Sequence, residues 1–149
     1  MFVVVTCCLA LLMVTTFLHY EVLRVMTIVL PGLRIPARAK LIVVIFATFV
    51  AHTVEMLLYA MAFYALVEEA GVGILATKSA PTFTTYLYFS AETYTSLGYG
   101  DIVPGGVLRP LAGMEALNGL LLIGWSASYI YISMERFWGE EEKKPGRMK

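Results

Sequence analysis

Residues 90–104 read Ser-Ala-Glu-Thr-Tyr-Thr-Ser-Leu-Gly-Tyr-Gly-Asp-Ile-Val-Pro, a polar run set between two strongly apolar stretches. Within it Gly98 and Gly100 bracket Tyr99. Residues without a Cβ tolerate the positive φ angles that let successive carbonyls turn toward one axis. The run therefore predicts an irregular loop that presents backbone oxygens, and the rest of the chain shows where that loop lies.

The 149 residues are 59% hydrophobic and only 15% charged, far from the roughly 25% charged of soluble domains. This composition is that of an integral membrane protein. Formal net charge is zero, so no basic field points to nucleic acid, and the one acidic cluster is Glu140, Glu141 and Glu142. Cys7 and Cys8 are the only cysteines; adjacent inside an apolar run, they read as buried free thiols and not as a disulfide or metal pair.

Residues 2–20, 41–66 and 111–132 are each long and apolar enough to cross a hydrocarbon core, which needs about 20 residues. Residues 82–95 are too short. As a helix they rise roughly 20 Å, so they should enter the membrane and return, which is tolerated where the non-helical continuation is buried or lines a water-filled path. The start Met1-Phe2-Val3 lacks a basic region and no small-residue cleavage site follows, so the first stretch reads as a retained helix in place of a signal peptide. Pro31 and Pro36 separate it from the second.

Loop charges predict orientation. Arg34, Arg38 and Lys40 stand without an acid in residues 31–40, and the tail adds Arg136, Lys143, Lys144, Arg147 and Lys149. Both segments are expected in the cytoplasm. Residues 68–81, with two acids against Lys78, are expected outside, which also puts the N-terminus outside and the C-terminus in the cytoplasm of a multi-pass cell-membrane protein. Glu21 and Arg24, one turn apart, are expected to pair.

Ser96-Leu97-Gly98-Tyr99-Gly100-Asp101, preceded by Glu92-Thr93-Tyr94-Thr95, resembles the Thr-Val-Gly-Tyr-Gly-Asp selectivity filter of the potassium channel pore-domain family, whose carbonyls replace the hydration shell of the ion. The resemblance is specific over residues 86–104, generic over the flanking helices and absent from residues 1–40. It implies an all-α membrane fold: three transmembrane helices with a re-entrant pore helix and filter loop. The divisions expected are an additional N-terminal helix and interfacial extension at 1–30, a basic linker at 31–40, the pore domain at 41–138 and a tail at 139–149.

By carry-over, K+ would be held by the carbonyls of Ser96, Leu97, Gly98 and Tyr99 and the Ser96 hydroxyl. Glu92, Thr93, Tyr94, Thr95, Gly100 and Asp101 would support the filter. Ser96 keeps the hydroxyl of the family's threonine without its methyl, and Leu97 replaces a β-branched residue that is stiffer at χ1. Aromatic residues before the filter brace it in the family; Tyr94 and Tyr99 are expected to do so, while Tyr86, Tyr88 and Phe89 fit either bracing or an interfacial belt. In some relatives a glutamate and an aspartate at the positions of Glu92 and Asp101 meet behind the filter, which implies a shared proton. One chain supplies one filter strand, so the resemblance implies a homotetramer of this chain with three identical subunits, no cofactor and K+ as the permeant ion.

Small residues at Ala47 and Ala51, and at Gly124 and Ser128, would allow close helix approach. The third spanning helix is expected to continue toward Trp138. Gly119 falls where inner helices of the family place a hinge glycine. Asn118 has two readings, a cavity-facing amide or a helix-to-helix hydrogen bond. Intramembrane His52, Glu55 and Glu115 call for partners, and a hydrogen-bonded network is favoured over a proton sensor; Arg109 or the pore helix could reach Glu115, and His19 is expected at the interface. An enzymatic reading of Gly98-Tyr99-Gly100-Asp101 as an intramembrane aspartyl protease motif fails, because Asp101 is the only Asp and that chemistry needs two. A non-selective cation channel and a non-conducting membrane subunit remain the alternatives.

Overall fold

The computed structural model describes residues 1–77 and 80–142, the last three as backbone only. The side chains of the acidic cluster 140–142, the basic tail residues from Lys143 onward and Lys78 therefore lie outside the described residues. Helix α1 (Phe2–Gly32) and helix α2 (Ala37–Tyr64) are joined by four residues. A single π-helical turn (Ala65–Glu69) ends α2, strand β1 (Ile74–Ala76) follows, and helix α3 (Phe83–Tyr94) leads into the glycine loop. Strand β2 (Val103–Gly105), a 3-10 turn (Gly106–Leu108) and helix α4 (Arg109–Glu142) come next.

Three helical stretches are long and apolar enough to span a membrane: Phe2–Gly32, Ala37–Glu69 and Gly106–Gly139. All three match expected spans and all run longer. Helix α1 passes Tyr20 for three more turns, where Arg24 Nη1 donates to Glu21 Oε2 at 3.0 Å. Pro31 is accommodated in its last turn, and Pro36 caps α2, so the connection shrinks from the expected 31–40 to residues 33–36.

The bundle is antiparallel. At one end Val4 and Cys8 of α1 share a core with Phe63 of α2, Leu75 of β1 and Leu108 beside α4. At the other, Leu30 of α1 packs with Val44 of α2 and Phe137 of α4, and the Lys40 ammonium lies 5.3 Å from the Phe137 ring. Helix α3, 12 residues and ~18 Å long, is too short to cross. Thr82 and Thr85 form a reciprocal capping box at its start. Edge-to-face pairs of Phe89 with Phe63 (5.0 Å) and Tyr86 with Tyr64 (5.6 Å) fix it against α2.

One addition to the expected all-α fold is a two-stranded antiparallel ribbon, with Ile74 opposite Gly105 and Ala76 opposite Val103. It ties the segment before α3 to the segment after the glycine loop, so both ends of the re-entrant unit are closed together.

Candidate functional site

The glycine loop departs from the carboxyl end of α3. Ser96 N–H donates to Thr93 O at 2.9 Å, and the amides of Leu97 and Gly98 donate to Glu92 O at 2.9 and 3.2 Å. Beyond this anchor the backbone alternates in hand: φ is +57° at Ser96, +52° at Gly98 and +79° at Gly100, while Leu97 and Tyr99 stay on the negative side. Alternation at every second residue overcomes the normal strand pleat, which would send successive carbonyls to opposite faces. The expected glycine geometry is present. Ser96 adopts it without being glycine, a local strain of order 1 kcal/mol.

Behind the loop, Glu92 Oε2 accepts the Tyr99 amide at 3.1 Å. Glu92 is almost fully buried, and that burial raises its carboxyl above the ordinary value; the Tyr99 amide opposes the shift and the charge of Asp101 adds to it. Asp101 Oδ1 accepts from the Tyr88 hydroxyl at 3.3 Å, and the Tyr88 ring lies parallel to Tyr99 within 3°, centroids 6.4 Å apart. The two carboxylates thus interact through space but bond to different partners. Each acid thereby ties one aromatic residue of the loop region, Glu92 the Tyr99 amide and Asp101 the Tyr88 hydroxyl. Tyr86 is turned away from the loop, its hydroxyl donating to Glu68 Oε1 at 2.6 Å from the π-helical turn. Thr95 Oγ1 returns to Ala91 O at 2.8 Å, extending the end of α3.

Gly119 has a packing role that its place in the sequence does not signal. A Cβ built there would lie 2.1 Å from Tyr94 O and 2.9 Å from Tyr94 C. The last carbonyl of α3 rests directly on the α4 backbone, and only glycine leaves room. Neighbouring Asn118 corrects the cavity reading: it is 2% exposed, and its Nδ2 donates to Thr15 Oγ1 (2.7 Å) on α1 and Tyr59 Oη (3.1 Å) on α2. Buried between helices, the amide nitrogen gives its protons to hydroxyls of two neighbouring helices, which is the helix-to-helix reading.

His52 and Glu55 do share a face of α2, with Nδ1 to Oε2 at 3.2 Å. Glu115 does not join them. It meets Ser90 Oγ of α3, which also lies 2.7 Å from Met56 O, and its Oε2 has no hydrogen-bond partner among the described residues. Arg109 instead donates to Pro104 O at 3.3 Å. The missing member is His19. Expected at the interface, it is fully buried, with Nδ1 2.9 Å from Glu55 Oε1 and Nε2 3.1 Å from Ser126 Oγ on α4. His52 Nε2 reaches the same Ser126 Oγ at 3.0 Å, while Nδ1 lies 2.8 Å from the Tyr94 hydroxyl. Tyr94 in turn donates to Glu55 Oε2. Four helices therefore converge on one buried polar ring, whose α3 member is the last helical residue before the glycine loop. His19, His52 and Glu55 bring possible ligand atoms within 4.8 Å of one another, each of them already engaged in these hydrogen bonds.

The nearest signal for His19 in the sequence was its stripe. Val4, Cys8, Thr15, His19, Leu23 and Leu30 recur at helical spacing, and all are buried.

No solved structure matches the chain. A family model described as "Ion channel" matches residues 39–136, from the start of α2 to near the end of α4. The chain is 31% identical over 97 residues to the inward rectifier potassium channel Kirbac3.1 of Paramagnetospirillum magnetotacticum. That match covers 64% of this chain and 33% of the relative, so the chain spans about a third of that protein's length. A multi-pass membrane protein with a re-entrant helix, a backbone loop of alternating hand and this family match over two helices and the loop between them, the chain belongs to the ion channel family.

Proposed function

We propose that this chain is the pore-forming subunit of a potassium-selective channel, four copies of which surround one axis and pass K+ down its gradient between the carbonyls of Ser96, Leu97, Gly98 and Tyr99. The observation that carries the reading is the alternating hand of residues 96–100, which lets consecutive carbonyls face one side, as a dehydrated cation requires. The Glu92 bond to the Tyr99 amide and the Tyr88 stack favour a held loop, as selectivity demands, over a loose aqueous pore. Leu97 (59% exposed) and Tyr99 (69% exposed) leave apolar surface uncovered in one protomer, which supports closure against identical neighbours. The carbonyl end of α3 carries partial negative charge and would favour a cation below the loop. The basic 31–40 region supports a cytoplasmic face opposite the β-ribbon end, with the N-terminus outside.

Purified protein in liposomes, recorded under opposed K+ and Na+ gradients, tests the proposal. A reversal potential that follows K+ is expected. Equal permeability would reduce the function to a non-selective cation pore, and a monodisperse monomer without current would remove the pore altogether.

A further inference from the structure

Ser90 of α3 stands where three helices meet and has one proton for two oxygens. Its Oγ lies 2.7 Å from Met56 O of α2 and also meets Glu115 Oε1 of α4, with Ser90 and Glu115 both fully buried. Met56 O can only accept. Were Glu115 a carboxylate it too could only accept, and the single hydroxyl proton would have to serve both neighbours. Given to Glu115, the proton leaves the Ser90 and Met56 oxygens facing each other at 2.7 Å, lone pair against lone pair. Given to Met56 O, it leaves the same conflict at Glu115 Oε1. Divided between them, it bends both bonds away from the straight geometry on which their strength depends.

The surroundings lack what a carboxylate would need. Glu115 Oε2 is buried with no hydrogen-bond partner, and none of the ion pairs among the described residues includes Glu115. Arg109, at the start of the same helix, donates to Pro104 O, and both histidines turn to Glu55. The titratable side chains on which a Glu115 charge would act include Tyr59 of α2 and Tyr94 of α3, and neither supplies a positive charge. A negative charge with one oxygen unsatisfied and no cation beside it is very costly inside the hydrocarbon region. The unpartnered carbonyl oxygen of a neutral acid is a far smaller loss.

We propose that Glu115 is a neutral carboxylic acid at neutral pH, whose O–H donates to Ser90 Oγ while Ser90 donates to Met56 O. Every contact in the set then has one donor and one acceptor. The chain of bonds runs from α4 through α3 to the backbone of α2, so the re-entrant helix is held from both sides about one turn before Tyr94, its last residue. Glu115 is thus a positioning residue for α3 and adds no charge to the membrane interior.

Infrared spectroscopy of the purified chain in lipid nanodiscs tests this, because the carbonyl stretch of a protonated carboxyl stands apart from the carboxylate and amide bands. Such a band should be present in the parent at neutral pH and lost in Glu115→Gln. In Ser90→Ala it should persist and move to higher wavenumber, since a carboxyl released from its hydrogen bond has a stiffer carbonyl. A parent spectrum without the band, or a band that Glu115→Gln leaves unchanged, would show Glu115 ionised and overturn the proposal. A band unmoved in Ser90→Ala would overturn the bond to α3. Thermal melts supply the second measurement. The amide in Glu115→Gln offers an N–H donor to the same Ser90 oxygen, so that chain should melt with the parent. Ser90→Ala, which strands the Glu115 O–H, should melt roughly 2–4 °C lower, the shift that one lost hydrogen bond gives a chain of this size. A Glu115→Gln chain that melts as low as Ser90→Ala, or fails to fold, would overturn the donor role, and equal melting of Ser90→Ala and the parent would overturn the positioning role.

Discussion

Replacing Gly119 by alanine adds a single methyl at the tightest contact between the re-entrant helix and α4. The added Cβ would meet Tyr94 O at 2.1 Å. An ordinary carbon to oxygen approach is about 3.3 Å, so the two backbones must part by roughly 1.2 Å. Neither atom belongs to a flexible side chain that could swing aside. Overpacking of this kind costs up to about 3 kcal/mol, and the better helix propensity of alanine returns about 1, leaving a net loss of ~2 kcal/mol. Gly139, on the same helix, is the matched control: a methyl there would meet no described atom within 4 Å, so alanine should be neutral or stabilising by up to about 1 kcal/mol. Thermal unfolding of the detergent-solubilised protein, followed by size-exclusion fluorescence, compares the two. Gly119→Ala should melt measurably lower than the parent, and K+ flux should fall, because the displaced carbonyl directly precedes Thr95 and Ser96. If Gly119→Ala and Gly139→Ala melt together and conduct alike, the close approach of α3 to α4 is not a feature of the folded channel.

Glu92→Ala leaves the Tyr99 amide without its 3.1 Å acceptor, a loss of about 1–3 kcal/mol, and should leave ion selectivity unchanged while shortening the conducting state; recordings with unaltered open lifetimes would refute it. Asn118→Leu takes the donor away from the oxygens of Tyr59 and of Thr15, whose own bond to Leu11 O remains, and is expected to destabilise the fold by about 2 kcal/mol in thermal melts, whereas Tyr59→Phe, which removes one bond of the two, should cost less. Single cysteines at Arg34 and Glu69, in a chain lacking Cys7 and Cys8, should react with impermeant reagent from opposite sides of the membrane, Glu69 from outside; labelling of both from one side would refute the proposed orientation.

The spans and the re-entrant helix were legible because hydrocarbon thickness imposes a length rule that residues 2–20, 41–66, 82–95 and 111–132 obey or fail individually. Helix ends were less so. Nothing in hydropathy says that α1 continues past Tyr20 to Gly32, since Glu21 and Arg24 read as an exit from the membrane and instead pair on a continuing helix. The β-ribbon was invisible because three-residue strands carry no periodicity. At the candidate site, glycine spacing conveyed the hand of the backbone, but partner choice was not encoded locally. Glu92 takes an amide seven residues on, and His19 finds Glu55 and Ser126 across 36 and 107 positions. Such bonds become readable only once the helices are docked. The buried stripe containing Thr15 and His19 could have warned that α1 has a polar seam to satisfy.

That seam changes what α1 is. The family match begins at residue 39, which would make the first helix look like an optional attachment to a self-sufficient pore. Yet α1 supplies the hydroxyl that satisfies Asn118 and the imidazole that satisfies Glu55, two polar groups sunk in the heart of the matched segment. Cutting the chain back to the matched segment would expose those groups on one side. Without α1, Asn118, Glu55 and Ser126 would each lose one polar partner, so the outer helix and the inner ones share a single set of buried hydrogen bonds.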